Sequence, residues 1–320
     1  MQTPPDRIEA ASLPLTEQQN PRSRGLDQLP VEAIVELMHQ EDLEVHKALE
    51  QAKPAIAATV RRVVRSLESG GRLIYIGAGT SGRLGVLDAT ECPPTYRADP
   101  EMVQGLIAGG REALERAVEG AEDREDAAIA DLQARRLSAA DIVIGIAASG
   151  HTPYVRAGLR YAKSLGCQTA LIACNQIPTD DPAVDEYILL PVGPEIVSGS
   201  TRLKSGTATK LALNMISTIS MIQLGKVYDN LMVDMQISNH KLQKRARRII
   251  QQLTELGPED ADRLLEAAHG EVKTALMMHK AELDYPAAKT RLATAKGHLR
   301  RALGQTNGQT NGQERADGSA

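Results

Sequence analysis

Apolar positions along the chain repeat at two spacings, and the two alternate. In VEAIVELM and IAATVRRVV they fall three and four apart, the period of a helix with one buried face. That spacing predicts helices over Val31–Gln40 and Glu41–Ser69, with Pro54 as a kink or break. Short, β-branched runs follow at Leu73–Ile76, Val103–Ala108, from Asp141 in DIVIGIA, Gln168–Ala173 and Tyr187–Leu190. Runs this short and this apolar suit strands buried on both faces. Helical spacing returns between them, over Arg83–Thr90, Arg111–Gly120, Asp123–Arg136 and from Thr152 onward, while CPPTYRADP reads as a connection outside any helix interior. Strands alternating with helices predict an α/β fold, a three-layer αβα sandwich with a parallel sheet and its ligand at the carboxyl ends of the strands.

Beyond the last strand the pattern becomes helical only. A long apolar helix is expected over about Thr207–Leu224, then the basic run HKLQKRARR as one solvated helix face, then three short helices between Pro258 and Leu303. This divides the chain into an N-terminal arm (1–30), an α/β domain with its leading helices (31–228), a small all-helical region (229–303) and a tail (304–320). The arm LTEQQNPRSRGLDQLP reads from composition as a disordered leader, and the QTNG repeats of the tail read as disordered.

Composition removes several function classes. With 37 basic against 41 acidic side chains, and neither Phe nor Trp, nothing points to nucleic acid. No apolar run is long enough for a membrane span, and MQTPPDRIEA lacks the apolar core of a signal peptide. Three scattered cysteines, Cys92, Cys167 and Cys174, fit a reducing cytoplasm; Cys92 reads as a small packed residue rather than a nucleophile.

The chemistry begins at RLIYIGAGTSGRLGVLDATE, Arg72–Glu91. A buried strand runs into Gly77–Gly82, which lets the backbone turn and approach a ligand, and a helix follows. Its free N–H groups and dipole favour an anion such as phosphate, with Gly79, Thr80 and Ser81 beside it. The segment from Asp141 repeats the arrangement, with Ser149-Gly150 in place of Ser81-Gly82 and Thr152-Pro153 opening the next helix. Paired hydroxyl-bearing tips suit a single phosphate held by Thr80, Ser81, Ser149, Gly150 and Thr152. Gly77, Gly79 and Gly82 also match GxGxxG, but the nearest acid in spacing, Asp99, lies in PTYRADPEM and not at a strand end, which disfavours a dinucleotide. A third polar stretch, GPEIVSGSTRLKSGTATK from Gly193, reads as a helix cap or as a ligand loop.

IYIGAGTSGRLGVLDATECPPTY, GLIAGG, AVEGAED, GIAASGHTPYV, SGSTRLKSGTATKLALNM and NLMVD resemble the N-acetylmuramic acid 6-phosphate etherases, sugar-isomerase (SIS) domain proteins of bacterial cell-wall recycling. The likeness runs from LTEQQNPRS to about Leu303. It implies cleavage of the D-lactyl ether by elimination and hydration in a cytoplasmic homodimer, with no metal or organic cofactor. By motif, the catalytic pair falls on Glu91 of ECPPT, as acid, and Glu122 of GAED, as base. The same helix is then expected to anchor the phosphate at one end and deliver Glu91 to the ether at the other. Glu195, Ser198 and Ser200 resemble the family's sugar-side loop, reaching toward a neighbouring subunit; His151 receives no role beyond positive charge. The helices over 258–303 resemble a ubiquitin-associated-type module. Arg97-Ala98 departs from the family pattern, in which Gly follows ECPPTY. A SIS-type sugar-phosphate isomerase and a non-catalytic sugar-phosphate-binding regulator are the alternatives.

Overall fold

The computed structural model describes residues 13–237 and 239–304, so the tail repeats beyond Gly304 lie outside the described residues. The described residues form two compact units, one of residues 13–93 with 98–220, the other of residues 94–97 with 221–237 and 239–304.

The first unit is built on a parallel sheet of order β2-β1-β3-β4-β5, with β1 Leu73–Gly77, β2 Val103–Ile107, β3 Ile142–Ile146, β4 Gln168–Ala173 and β5 Glu186–Leu189. Every residue of β1 and β3 is buried, which is why their sequences are apolar without alternation. In register, Leu73 pairs with Val103 on one side and Ile142 on the other. Leaving β1 the chain steps to β2, then crosses back to form β3 on β1's other flank. The order reverses there, and a crevice opens beyond the carboxyl ends of β1 and β3.

Helices α1 (Val31–Glu68), α2 (Gly79–Tyr96), α3 (Glu112–Glu115), α4 (Glu125–Ala134), α5 (Pro153–Ser164) and α6 (Lys204–Gln223) belong to this architecture. Ile74, Ile76, Val143 and Leu171 pack with Leu132 of α4 and Tyr154, Val155 and Leu159 of α5. Burial of each large aliphatic side chain contributes roughly 1.5–3 kcal/mol. Tyr75 points to the opposite face, where its hydroxyl donates to Asp88 of α2 at 3.0 Å. The sheet therefore carries helices on both faces, the three-layer sandwich expected from the alternation.

Four local expectations need correction. Pro54 neither breaks nor divides α1; it sits on the exposed side, where the lost N–H bond faces water. The helix expected over Arg111–Gly120 shrinks to the four residues of α3, because Gly109, Gly110 and Gly120 all take positive φ and turn the chain on either side of it. α2 starts at Gly79 and carries Pro93-Pro94 within its last turn, ending two residues later. The N-terminal arm is ordered from Leu13: it makes three 3-10 turns and buries Thr16 and Asn20.

The second unit contains α7 (His240–Thr254), α8 (Pro258–Ala267), α9 (Val272–Ala281), α10 (Tyr285–Thr294) and α11 (Leu299–Ala302), four helices after Gly257 where spacing suggested three. The segment between Gly225 and α7, expected helical, holds an isolated bridge between Tyr228 and Leu231 instead. Ile249, Ile250, Leu265, Leu276, Met277 and Leu292 form its core. Lys241, Lys244 and Arg248 are exposed on α7, the solvated face expected of the basic run.

Candidate active site

Both Ser-Gly loops open on the crevice. The first turns so tightly that a Cβ on Gly82 would lie 2.7 Å from the Gly77 carbonyl oxygen and 2.6 Å from Ile107. Thr80 and Ser81 fall in the first turn of α2, half-buried, beside its free N–H groups. The second loop turns at Gly150, whose φ of +83° and 2.8 Å Cβ approach to Ile177 both demand glycine. Ser149 is half-buried and its Oγ accepts from the His151 N–H at 3.2 Å, while His151 itself is exposed. Thr152 occupies the N-cap position of α5 without a side-chain capping bond, and Pro153 follows in the first turn. The loop is clamped from behind: Arg156 donates to the Gly150 carbonyl at 2.7 Å and pairs with Asp181 at 3.0 Å. Two helix N-termini thus converge, each with a hydroxyl tip.

Glu122 stands at this same end of α2. It lies in a 3-10 turn over Ala121–Asp123 and lines a cavity of about 170 Å³ together with Gly79, Arg83 and Gly120. Its carboxylate is exposed, and Arg83 is fixed beside it through the Leu114 and Arg116 carbonyls. Glu91 is elsewhere. It is exposed on α2, ten residues past Ser81, which at about 1.5 Å per residue is roughly 15 Å along the helix. Glu91 and the Ser81 turn therefore stand near opposite ends of α2.

Below Glu91, Cys92 is buried and its thiol is pushed up to about 12, by burial first and by the nearby Asp88 and Glu91 carboxylates second. It is a protonated packing residue, as expected. Asp88 receives bonds from Tyr75, from Asn214 at 2.8 Å and from Ser217 at 3.0 Å, joining β1, α2 and α6; burial raises its pKa despite these donors.

The third polar stretch is a cap. Glu195 is fully buried, and its two carboxylate oxygens accept the Lys204 and Ser205 N–H groups at 3.0 and 2.9 Å at the start of α6. Ser198 Oγ donates to the Glu17 and Gln18 carbonyls, and the Gly199 N–H to that of Thr16, while Ser200 is half-buried in the same turn. These bonds strap the arm onto the loop. Asn20 extends the strap by donating to Glu41 at 2.7 Å and to the Pro194 carbonyl at 3.2 Å. Glu41 also pairs with Lys204 at 2.5 Å, and both side chains are nearly inaccessible. Burial alone would raise the Glu41 carboxyl, but Lys204, Asn20 and Arg22 outweigh it and hold it below its ordinary value. A second thread runs from the Leu15 N–H to Asn175 Oδ1 at 3.1 Å, and from Asn175 to the Ser149 carbonyl. Glu41, Lys204, Asn175 and Arg156 were not singled out by sequence reasoning, because no motif spacing links residues so far apart.

Two domain families match in succession: the glucokinase regulatory protein N-terminal SIS domain over residues 55–163, and the C-terminal lid domain of glucokinase regulatory protein over residues 229–298. A parallel sheet with twin Ser-Gly loops at its switch point, followed by a helical module, places the chain among SIS-domain proteins with a C-terminal lid. Within that class the relatives are specific. The N-acetylmuramic acid 6-phosphate etherase of Geobacillus sp. (strain WCH70) is 53% identical over 288 residues, covering 90% of this chain and 98% of that one. That of Gloeobacter violaceus (strain ATCC 29082 / PCC 7421) is 53% identical over 301 residues, covering 93% and 97%. The chain belongs to the N-acetylmuramic acid 6-phosphate etherase family.

Proposed function

We propose that this chain is a carbon–oxygen lyase that removes the D-lactyl group from C3 of N-acetylmuramic acid 6-phosphate in the cytoplasm, as a homodimer. The near-full-length likeness to the etherases carries this reading. The cavity beside the first loop supports it, since Gly79 and the Glu122 carboxylate line it together.

The substrate's phosphate lies between Thr80, Ser81, Ser149, Gly150 and Thr152, bound by hydroxyls and by the N–H groups of α2 and α5. Glu122, at the same opening, removes the C2 proton, which is acidic because it lies α to the aldehyde of the open-chain sugar. The electron pair forms the C2–C3 double bond as the C3–O bond breaks, and Glu91 protonates the departing lactyl oxygen. Water then adds across the double bond, so one water is consumed and N-acetylglucosamine 6-phosphate and D-lactate leave. Acid–base chemistry of this kind needs no metal or organic cofactor. Glu195 supports the site by capping the N-terminus of α6, and Ser198, with Ser200 in the same turn, by tying the arm to that loop.

The distance along α2 supports a reading in which Glu91 serves the site of a second copy. Exposed apolar residues support such pairing: Val31, Val35 and Met38 repeat on the first turns of α1, whose first buried residue is Glu41, and Leu87 and Ile219 are exposed on α2 and α6. Incubation with N-acetylmuramic acid 6-phosphate tests the activity. D-lactate release is expected; aldose–ketose exchange without lactate would instead mark an isomerase, and tight binding without turnover a regulator.

A further inference from the structure

The second unit contains a cavity of about 390 Å³ that the reaction above does not use, lined by Arg97, Lys226, Lys273, Lys289, Asp234 and Glu271 among its described residues. We propose that this cavity is a second anion site, built for a phosphomonoester dianion and distinct from the Ser-Gly loops of the first unit.

Charge sets the ligand class. Four cations face two carboxylates, so the lining carries an excess of two positive charges (4 − 2), which a dianion neutralises and a monocarboxylate does not. Each carboxylate is shared. Asp234 pairs with Lys226 at 3.0 Å and Lys273 at 2.8 Å, and Glu271 with Lys289 at 2.8 Å and Arg97 at 3.5 Å. Thr274 also donates to Glu271 at 2.7 Å, so Glu271 has three partners and Asp234 two.

The cations differ in role. Lys273 is the floor: it is buried, and its ammonium donates to Asp234 and to the Gly225 and Gly297 carbonyls, which uses its three protons. Its pKa is lowered, first by burial and then, against the pull of Asp234, by Lys226 and Lys289. The other three form the rim. Lys226 and Lys289 each have an ammonium with three donors and one carboxylate partner, and Arg97 has five donors and one loose pairing. Arg97 is also held at φ +49°, a left-handed conformation that a non-glycine residue adopts under strain. Strain at a pocket rim, paired with unfilled donors, is the pattern of a ligand site. A volume of this size accepts a phosphorylated sugar as well as a free phosphate.

Equilibrium dialysis with radiolabelled inorganic phosphate, and separately with glucose 6-phosphate, tests this on the full chain carrying Ser81→Ala and Ser149→Ala to weaken the first site. One anion per chain is expected to remain, and adding Lys226→Ala with Lys289→Ala should weaken its binding at least tenfold. Tighter retention of glucose 6-phosphate than of phosphate would assign a sugar subsite; equal retention would assign phosphate alone. No residual binding, or binding indifferent to the lysine pair, overturns the proposal. If the lysine variant does not fold, amine acetylation of the loop variant mapped by mass spectrometry gives the same answer. Phosphate must protect Lys226 and Lys289, and unchanged labelling refutes the site.

Discussion

At its N-terminal end α2 is crowded. Gly82 leaves no room for a Cβ, Thr80 and Ser81 are half-buried, and Glu122 lines the adjoining cavity. At the other end Glu91 and Thr90 are exposed, Pro93-Pro94 remove backbone bonds, and Leu87 presents an apolar side chain to water. The crowded end reads as half of a site finished within the chain; the bare end reads as a surface awaiting a partner. On the proposed function one helix serves two sites, and the relevant distance is its own length.

The largest effects should come from removing the acids. Glu122→Ala and Glu91→Ala are each expected to lower kcat by about 10²–10⁴-fold, the usual contribution of a positioned acid or base, with circular dichroism unchanged. Full turnover in either variant would break the assignment at that end of the helix.

The next effect concerns what holds the crowded end. A Cβ on Gly206 of α6 would meet Thr80 at 3.5 Å, so the buried Glu41–Lys204 pair and the Glu195 cap place α6 against the phosphate loop. Glu41→Ala strands the Lys204 ammonium and should destabilise the fold by about 3–5 kcal/mol in denaturant titrations. The sign with pH follows from the depressed carboxyl. Stability from Glu41 is complete above the ordinary carboxylate pKa and is lost as pH falls through its lower folded value. In the variant this acid-limb slope should shrink; an unchanged slope would remove the pair from the account.

A finer test sets the two ends side by side. Gly82→Ala should cost about 1–3 kcal/mol from overpacking against Ile107 and the Gly77 carbonyl, whereas Thr90→Ala at the bare end should stay within about 0.5 kcal/mol. Equal thermal shifts would erase the contrast. Smallest of all, Arg97→Gly relieves the positive φ just past α2 and should raise stability by about 1 kcal/mol, read as a small rise in Tm.

Much of the sheet and of its glycine-rich strand-to-helix turns was legible in the sequence, because strands buried on both faces and such turns leave local signatures. Leu73–Ile76 and Gln168–Ala173 matched the strands to within a residue, and both Ser-Gly tips fell on the crevice. What failed was decided by long-range contacts. Polar composition marked the arm as loose, yet Thr16, Asn20 and the Leu15 N–H find partners more than a hundred residues away in Gly199, Pro194 and Asn175. Pro54 and Pro93-Pro94 looked like breaks, yet Pro54 merely faces solvent and the pair falls within the final turn of α2. The loop after Gly193 could be a cap or a ligand site in sequence, and it is the folded chain that turns Glu195 back onto α6. The place of Glu91 relative to the phosphate required the direction and rise of a whole helix, which a motif does not contain.

Subunit mixing tests the central claim most directly. Glu91→Ala and Glu122→Ala dimers, each nearly inactive alone, are exchanged and assayed for D-lactate release. If Glu91 serves the neighbouring copy, each mixed dimer regains one intact site, and activity should approach about a quarter of wild type under random exchange. If exchange is verified by co-purification of differently tagged chains and no activity returns, both acids act within one chain and the account is contradicted.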